Sequence, residues 1–310
     1  MTNVCKTTPY VLITAARNEQ KYIVQTLESV IAQTVLPVRW IIVSDGSTDG
    51  TDNLVKEYAR RHSFITLLRI DRAGEREFGS KAKAVSAGYR LLDGLDYDYI
   101  GILDADVAFE RTYYEGVLQK LEDNPRLGIA GGVIFECDKD RPVRLLTTEE
   151  WSVSGPIQMF RRKCYEDIGG YLPLRNGIDA VAEVMARQKG YEVRAFAEFV
   201  VRHLRRTGRE GQSIWRAYFR MGVQDYRLGY DFLFFAARSC RMTRQFALAT
   251  PLMLAGYCWT WIRRSGKVVP ADFVQYLRAE QRGRLCRLLV PASWRPSGRS
   301  RKNPSRDLVA

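Results

Sequence analysis

In the run ILDADVAF, Ile102–Phe109, two carboxylates stand two residues apart inside what otherwise reads as a buried strand. An ionised carboxylate in apolar surroundings is costly unless it is paired or binds a cation, and two close together repel each other. If the strand runs through Asp106, the two side chains share a face. If it ends at Leu103, they sit on the loop that follows, at the edge where open α/β sheets bind ligands. Both arrangements bring Asp104 and Asp106 together. Such oxygen donors suit Mg2+ or Mn2+, and Mg2+ commonly takes one or two protein carboxylates together with substrate phosphates. An acidic β-turn is the competing reading of an isolated D-x-D pattern.

Other polar groups stand where strands should end. In VSDGSTDGT, Val43–Thr51, Gly46 permits a sharp turn, Ser47, Thr48, Asp49 and Thr51 can cap the next helix, and Asp45 is left at the strand's end. TAARNE, Thr14–Glu19, likewise closes a strand with polar groups. GSKAKAVSAG, Gly79–Gly88, puts Lys81 near a helix start, where its charge and the helix dipole both favour an anion. The plainer alternatives are an N-cap box around Asp45 and a solvated lysine at 81.

The elements that must position these groups are legible as alternation. Strands are expected at Tyr10–Ala15, Arg39–Ser44, Ile65–Ile70, Tyr99–Asp104 and Leu127–Glu136, with a further one ending in FVVRH before Leu204. Between them, Ile23, Leu27, Val30 and Ile31 make one apolar helical stripe, and Leu54, Val55 and Tyr58 another. This β–α order predicts an α/β fold with a doubly wound, mostly parallel sheet covered on both faces, whose strand-end loops gather in one crevice.

At 310 residues and 46% hydrophobic composition, the chain has enough material for a sizeable core. Its six cysteines show no C-x-x-C spacing, which argues against a zinc site or a disulfide framework and fits a reducing cytosol. The opening residues lack a basic region followed by an apolar stretch, so no secretory signal is expected. Charge is uneven: residues 1–200 hold 26 Lys and Arg against 29 Asp and Glu, whereas residues 201–310 hold 22 against 6. With the arginines set among aromatic and aliphatic runs, an anionic membrane surface is favoured over nucleic acid as partner. Three parts are expected: a domain at 1–205, an Arg-rich helical, membrane-associating region at 206–290, and a disordered basic tail at 291–310. The uncharged stretch Phe246–Ile262 would extend roughly 25 Å as a helix, slightly short of a bilayer core, and Pro251 would kink it. Arginines at both ends favour an interfacial or re-entrant placement over a span or a core helix.

Taken in order, TAARNE, VSDGSTDGT, SKAKAVSAG, LDADV and the long stretch Gly169–Phe196 give the chain a resemblance to family-2-type inverting glycosyltransferases of the GT-A fold, over roughly residues 10–205. The resemblance implies that Thr14, Ala15, Arg17, Glu19 and Asp45 hold the donor nucleotide, with Lys81 nearby. It implies that Asp104 and Asp106 bind Mg2+ or Mn2+ and the donor ribose or diphosphate, with His203 near the metal. It further implies that Asp179, in NGIDAVAE, is the general base, with Glu183 one turn on as its fallback and a helix cap as the plain alternative. The chain departs from the family pattern in Ile178, where an acid often stands, and in Ser44 and Ser86.

The implied activity is transfer of one sugar, of hexosyltransferase type, from a UDP- or GDP-linked donor to a glycan or lipid-linked acceptor at the cytoplasmic face of the cell membrane. Relatives that build polymers through a membrane carry a Gln-x-x-Arg-Trp motif. GQSIWRAY (Gly211–Tyr218) and EQRGRL (Glu280–Leu285) are partial echoes of it, so processive synthesis is not expected. Trp215, Tyr218 and Arg220 would border the acceptor or lie on lipid. A nucleotidyltransferase is disfavoured because AARNEQKY lacks a glycine-rich phosphate loop, and the retained Asp45, Asp104, Asp106 and Asp179 weigh against a catalytically silent membrane scaffold.

Overall fold

The computed structural model describes residues 8–71, 79–138, 141–144, 149–205, 213–243 and 246–289. The expected tail at 291–310 therefore lies outside the described residues, as does the first part of GQSIWRAY. The chain divides into two compact units between residues 206 and 207.

The first unit alternates strands and helices: β1 (Tyr10–Ala16), α1 (Ile23–Ile31), β2 (Arg39–Asp45), α2 (Thr51–Arg61), β3 (Ile65–Ile70), α3 (Ser80–Arg90) and β4 (Tyr99–Leu103). It continues with β5 (Val107–Phe109), α4 (Tyr113–Asp123), β6 (Leu127–Asp138), β7 (Arg141–Arg144), β8 (Ile157–Arg161), α5 (Arg162–Asp167), α6 (Ile178–Gln188) and β9 (Glu192–His203). The nine strands form one sheet in the order β3-β2-β1-β4-β8-β6-β9-β5, with β7 on β6. β3, β2, β1 and β4 run parallel, and β6 pairs parallel with β9, while β8, β5 and β7 run against their neighbours.

The mostly parallel sheet explains the continuous apolar runs. Tyr10, Val11, Leu12 and Ile13 of β1 are fully buried, as are Trp40, Ile42 and Val43 of β2, because helices cover both faces. β4 ends at Leu103, so Asp104 leaves the strand and the two carboxylates belong to the loop before β5. β5, β7 and β8 were not foreseen: two are very short, and β8 lies in a stretch without alternating polarity.

Two loops at the parallel edge are stitched together. The Glu19 N–H donates to Thr51 Oγ1 (2.8 Å), the Thr48 N–H to Asn18 Oδ1 (2.8 Å), and the Gly50 N–H to Gln20 Oε1 (2.9 Å). The cap position of α2 is Gly50; of the expected capping residues, Asp49 lies just before it and accepts the Thr51 N–H at 3.0 Å, while Ser47 and Thr48 tie to the Asn18 loop.

The second unit is helical: α7 (Ile214–Arg227), α8 (Phe232–Met242), α9 (Ala249–Ile262) and α10 (Ala271–Leu289). Its core joins Phe235, Met253 and Tyr257. The Trp215 and Tyr218 rings lie against Phe246 and the Tyr226 ring against Tyr257, so α7 and α9 run side by side in the same direction. Their backbones approach at two glycines: a Cβ on Gly222 would lie 1.9 Å from the Met253 carbonyl oxygen, and one on Gly256 2.0 Å from that of Phe219. Asp231 caps α8 by accepting the Leu233 and Phe234 N–H groups, and Arg282 of α10 donates to it at 2.7 Å.

The apolar stretch is shorter in helical form than its sequence suggested, 14 residues from Ala249. Pro251 falls in its first turn, where a missing N–H removes no helical bond, so it starts the helix and does not kink it. Among the described residues no helix is long and apolar enough to cross a membrane.

Candidate active site

Because β1, β2, β3 and β4 are parallel and in register, their C-terminal ends open at one edge, where Asp45 ends β2 and Asp104 follows β4. Lys81, the second residue of α3, reaches across and donates from Nζ to Asp104 Oδ1. The Asp104 N–H is held by the Pro156 carbonyl at 3.0 Å, fixing the loop from the other side. Burial pushes the Lys81 ammonium down, but Asp104, Asp179 and Asp106 outweigh it and hold the pKa above the ordinary lysine value. Of the three carboxylates singled out in the sequence, Asp104 pairs with Lys81 directly, and Asp179 and Asp106 act on it through their charge.

Asp106, 8% exposed, lies between His203, at the end of β9, and Arg205, just beyond it. Its Oδ1 is 3.4 Å from His203 Nε2 and its Oδ2 3.4 Å from Arg205 Nε. β5–β9 pairing creates this: Val107 stands opposite His203, and the Leu204 N–H donates to the Asp106 carbonyl at 2.8 Å. On the other side His203 stands in register with Glu136 of β6, and its Nδ1 is 3.5 Å from Glu136 Oε1. Burial raises the Asp106 pKa, yet His203, Arg205 and Lys81 bring it below the usual carboxylate range. Burial lowers that of His203, and the carboxylates of Asp106, Asp104 and Glu136 bring it above the usual range. His203 therefore bridges two carboxylates and orients Asp106.

Arg205 also donates to Glu19 Oε2, linking the β1 loop to the end of the sheet. Burial drives the Glu19 carboxyl up to about 7: Arg205 opposes the rise and Asp106 adds to it. Arg205 and Glu136 are site residues that sequence reasoning missed. The one faint signal was a second basic residue two positions after His203.

The remaining expected donor-binding residues divide. Asp45 is 5% exposed at the end of β2, and Ala15 and Arg17 are half-buried at the end of β1. Thr14 is a correction: it is fully buried, and its Oγ1 accepts the Trp40 indole N–H at 3.0 Å, so it forms the floor and presents no surface to a ligand.

Asp179 sits in the first turn of α6 and is half-exposed. The cap position belongs to Gly177, at φ +71°, which removes the plain capping alternative. A Cβ on Gly155 would lie 2.6 Å from Asp179 Oδ2, so glycine lets the loop before β8 pass beneath this carboxylate without displacing it. Glu183, the fallback base, is corrected. It is 3% exposed, and its Oε1 accepts the Val153 N–H (2.5 Å), Ser152 Oγ (3.2 Å) and Gln158 Nε2 (3.4 Å). Arg187 stands 3.7 Å from its other oxygen. Burial pushes this carboxyl up to about 7 against the pull of Arg187. Glu183 clamps the Gly155 loop onto α6, and no acceptor hydroxyl can reach it.

Trp215, Tyr218 and Arg220, expected near the acceptor, all lie on α7 of the helical unit. Among the described residues no group of three or more His, Cys, Asp or Glu is arranged to hold a metal ion. The donor set at the sheet edge is two carboxylates, Asp104 and Asp106, each already facing a cation. That set suits Mg2+ or Mn2+ when phosphate oxygens complete the shell.

Comparison with known proteins agrees with this architecture. The family described as Glycosyl transferase family 2 matches residues 11–177, more than half of the chain. A poly-beta-1,6-N-acetyl-D-glucosamine synthase of Staphylococcus epidermidis is 24% identical over 174 residues, covering 50% of this chain and 40% of the relative. Its Staphylococcus aureus counterpart is 28% identical over 173 residues, with the same coverage. The chain thus spans about two fifths of the length of these relatives. Among solved structures, a mannosyltransferase from Pyrobaculum calidifontis in complex with GDP-Man and Mn2+ superimposes with a TM-score of 0.55 at 17% identity, covering 90% of this chain and 80% of that one. Residues 1–349 of S. aureus TarS in complex with UDP-GlcNAc also give 0.55, at 14% identity, covering 89% and 83%.

Proposed function

The chain belongs to glycosyl transferase family 2, and from that premise we propose that it moves one sugar from a nucleotide-diphosphate donor to an acceptor hydroxyl with inversion, assisted by a divalent metal. The observation that carries this reading is that Asp104, paired with Lys81, and Asp106, held by His203 and Arg205, stand together at the open ends of parallel strands. Asp45, Arg17 and the β1 end line the nucleotide side, and Lys81 faces the diphosphate. Asp179 takes the proton of the acceptor hydroxyl. As the acceptor oxygen forms its bond to the anomeric carbon, the bond from that carbon to the diphosphate breaks, and its electron pair leaves with the nucleoside diphosphate. One displacement inverts the centre and requires no covalent sugar–enzyme species.

Asp104 and Asp106 would hold the metal, which when bound supplies Lewis-acid stabilisation of the leaving diphosphate. His203 serves by fixing Asp106; ligation by its Nε2 requires that nitrogen to leave the carboxylate it faces. Support for the donor class and the metal comes from neighbours of the same fold, solved with GDP-Man and Mn2+, with UDP-GlcNAc, and, for GalNAc-T7, with UDP, GalNAc and Mn2+. The acceptor in this reading is a glycan or lipid-linked glycan at the cytoplasmic membrane face.

The test is to incubate the full chain with UDP- and GDP-sugars, with and without Mn2+, and follow nucleoside diphosphate release and product anomer by NMR. Metal-dependent release with one donor class and an inverted anomer supports the reading. Retention of configuration overturns it.

A further inference from the structure

α9 is apolar on two faces, and only one of them meets protein. Ala249, Met253, Gly256, Tyr257 and Thr260 are buried in the helical unit. On the other side, Leu248, Pro251, Ala255, Trp259 and Ile262 recur at helical spacing and all are exposed, Trp259 at 50% and Ile262 at 71%. Trp261 is 63% exposed at the same end. Contiguous exposed apolar surface of this kind marks an interaction face.

The charges around it identify the occupant. Residues 232–271 carry six Arg and Lys and no Asp or Glu. The Arg263 guanidinium lies over the Trp259 ring at 4.2 Å, with Arg264 exposed next to it, and Arg241 is exposed at the end of α8, where the chain turns back into α9. Cations therefore flank both ends of the apolar strip. Two copies of the face, packed together, would bring like charges close at each end; a sheet of anionic headgroups would meet both flanks at once. Tryptophan rings and arginines with apolar stems suit the boundary between headgroups and acyl chains. At about 21 Å the helix is too short to span the hydrocarbon, and it matches a segment lying in the membrane plane.

We propose that the outward face of α9, with Trp259 and Ile262 as its anchors and Arg241, Arg263 and Arg264 as its rim, docks on an anionic lipid bilayer. This concerns how the chain meets a membrane and not the transfer step, so the two readings stand or fall separately. It narrows the interfacial placement expected for Phe246–Ile262 to one face of α9 and names the residues that would carry it.

The test uses the full chain with vesicles of phosphatidylglycerol and phosphatidylcholine in equal parts, and with phosphatidylcholine alone. Co-flotation with the mixed vesicles is expected, weakened by salt and by omission of the anionic lipid. Trp259→Glu combined with Ile262→Glu should weaken binding about tenfold or more, while leaving the circular dichroism melt and nucleotide binding unchanged. In the unmodified protein, acyl chains brominated near the headgroup should quench tryptophan emission, a readout that needs no variant. Failure of the wild type to float, equal binding by the double variant, or absence of quenching overturns the proposal. So does a lipid-free dimer that the double variant abolishes, which would give the face to a second copy.

Discussion

The two units handle charge in opposite ways. At the sheet edge, carboxylates are drawn inward and each faces a cation: Asp104 faces Lys81, Asp106 faces His203 and Arg205, and Glu19 faces Arg205. In the helical unit some pairs are similarly enclosed, such as Asp225 with Arg238, but the open face of α9 is apolar and its neighbouring arginines stand at the rim. An array of carboxylates and cations fixed against one another, with Asp106 held below the usual carboxylate range, is prepared for a charged ligand, because much of the cost of orienting its groups has already been met in folding. An apolar strip rimmed by cations is prepared for a surface. Arginine serves both, as a fork that fixes carboxylates in one place and as a stem that packs on tryptophan in the other.

The sharpest way to break this contrast lies at the sheet edge. Asp179→Asn should reduce transfer by roughly 10²–10⁴-fold while leaving donor affinity unchanged, measured by turnover alongside calorimetric nucleotide binding. Near-normal turnover would remove Asp179 from the mechanism. In the helical unit the largest effect should be packing. Gly222→Val places atoms where the Met253 carbonyl stands, and should destabilise that unit by about 3 kcal/mol in denaturant unfolding, with nucleotide binding kept.

Glu183 should give a pH signature. Its folded pKa of about 7 lies above the ordinary 4.5, so the fold favours the protonated acid. Its contribution is complete below the ordinary value and is lost as pH rises through 7, by up to about 3 kcal/mol. Glu183→Gln keeps a neutral acceptor for the Val153 N–H, so its stability relative to wild type should rise between about pH 4.5 and 7. Glu19, also raised to about 7, is present in both proteins and cancels in the comparison. A flat difference would contradict the clamp. The smallest effect should be on the surface: Glu57→Ala, which breaks an exposed pair with Arg61, should change stability by no more than about 0.5 kcal/mol.

Asp104 and Asp106 were legible because charges in an apolar strand demand a reason, and Lys81 because a lysine near a helix start beside a strand end has something to face. Asp179 came from the resemblance, and the structure adds Gly155 beneath it. Arg205 and Glu136 were not legible: Arg205 meets Glu19 across 186 positions, and Glu136 meets His203 through a strand pairing that no local pattern encodes. Thr14 misled because its fate depends on Trp40 in the adjacent parallel strand. The α9 strip was visible as an uncharged run, but which side would be covered depended on the Gly222–Gly256 approach to α7.

The most direct test of the central claim is thermal unfolding of the wild type and Asp106→Asn with UDP, GDP or neither, each with and without Mn2+. The account predicts a metal-dependent rise with one nucleotide in the wild type, about 2.7 kcal/mol at 100 times the dissociation constant, and its loss in the variant. No rise with any combination, or an equal rise in the variant, would contradict it.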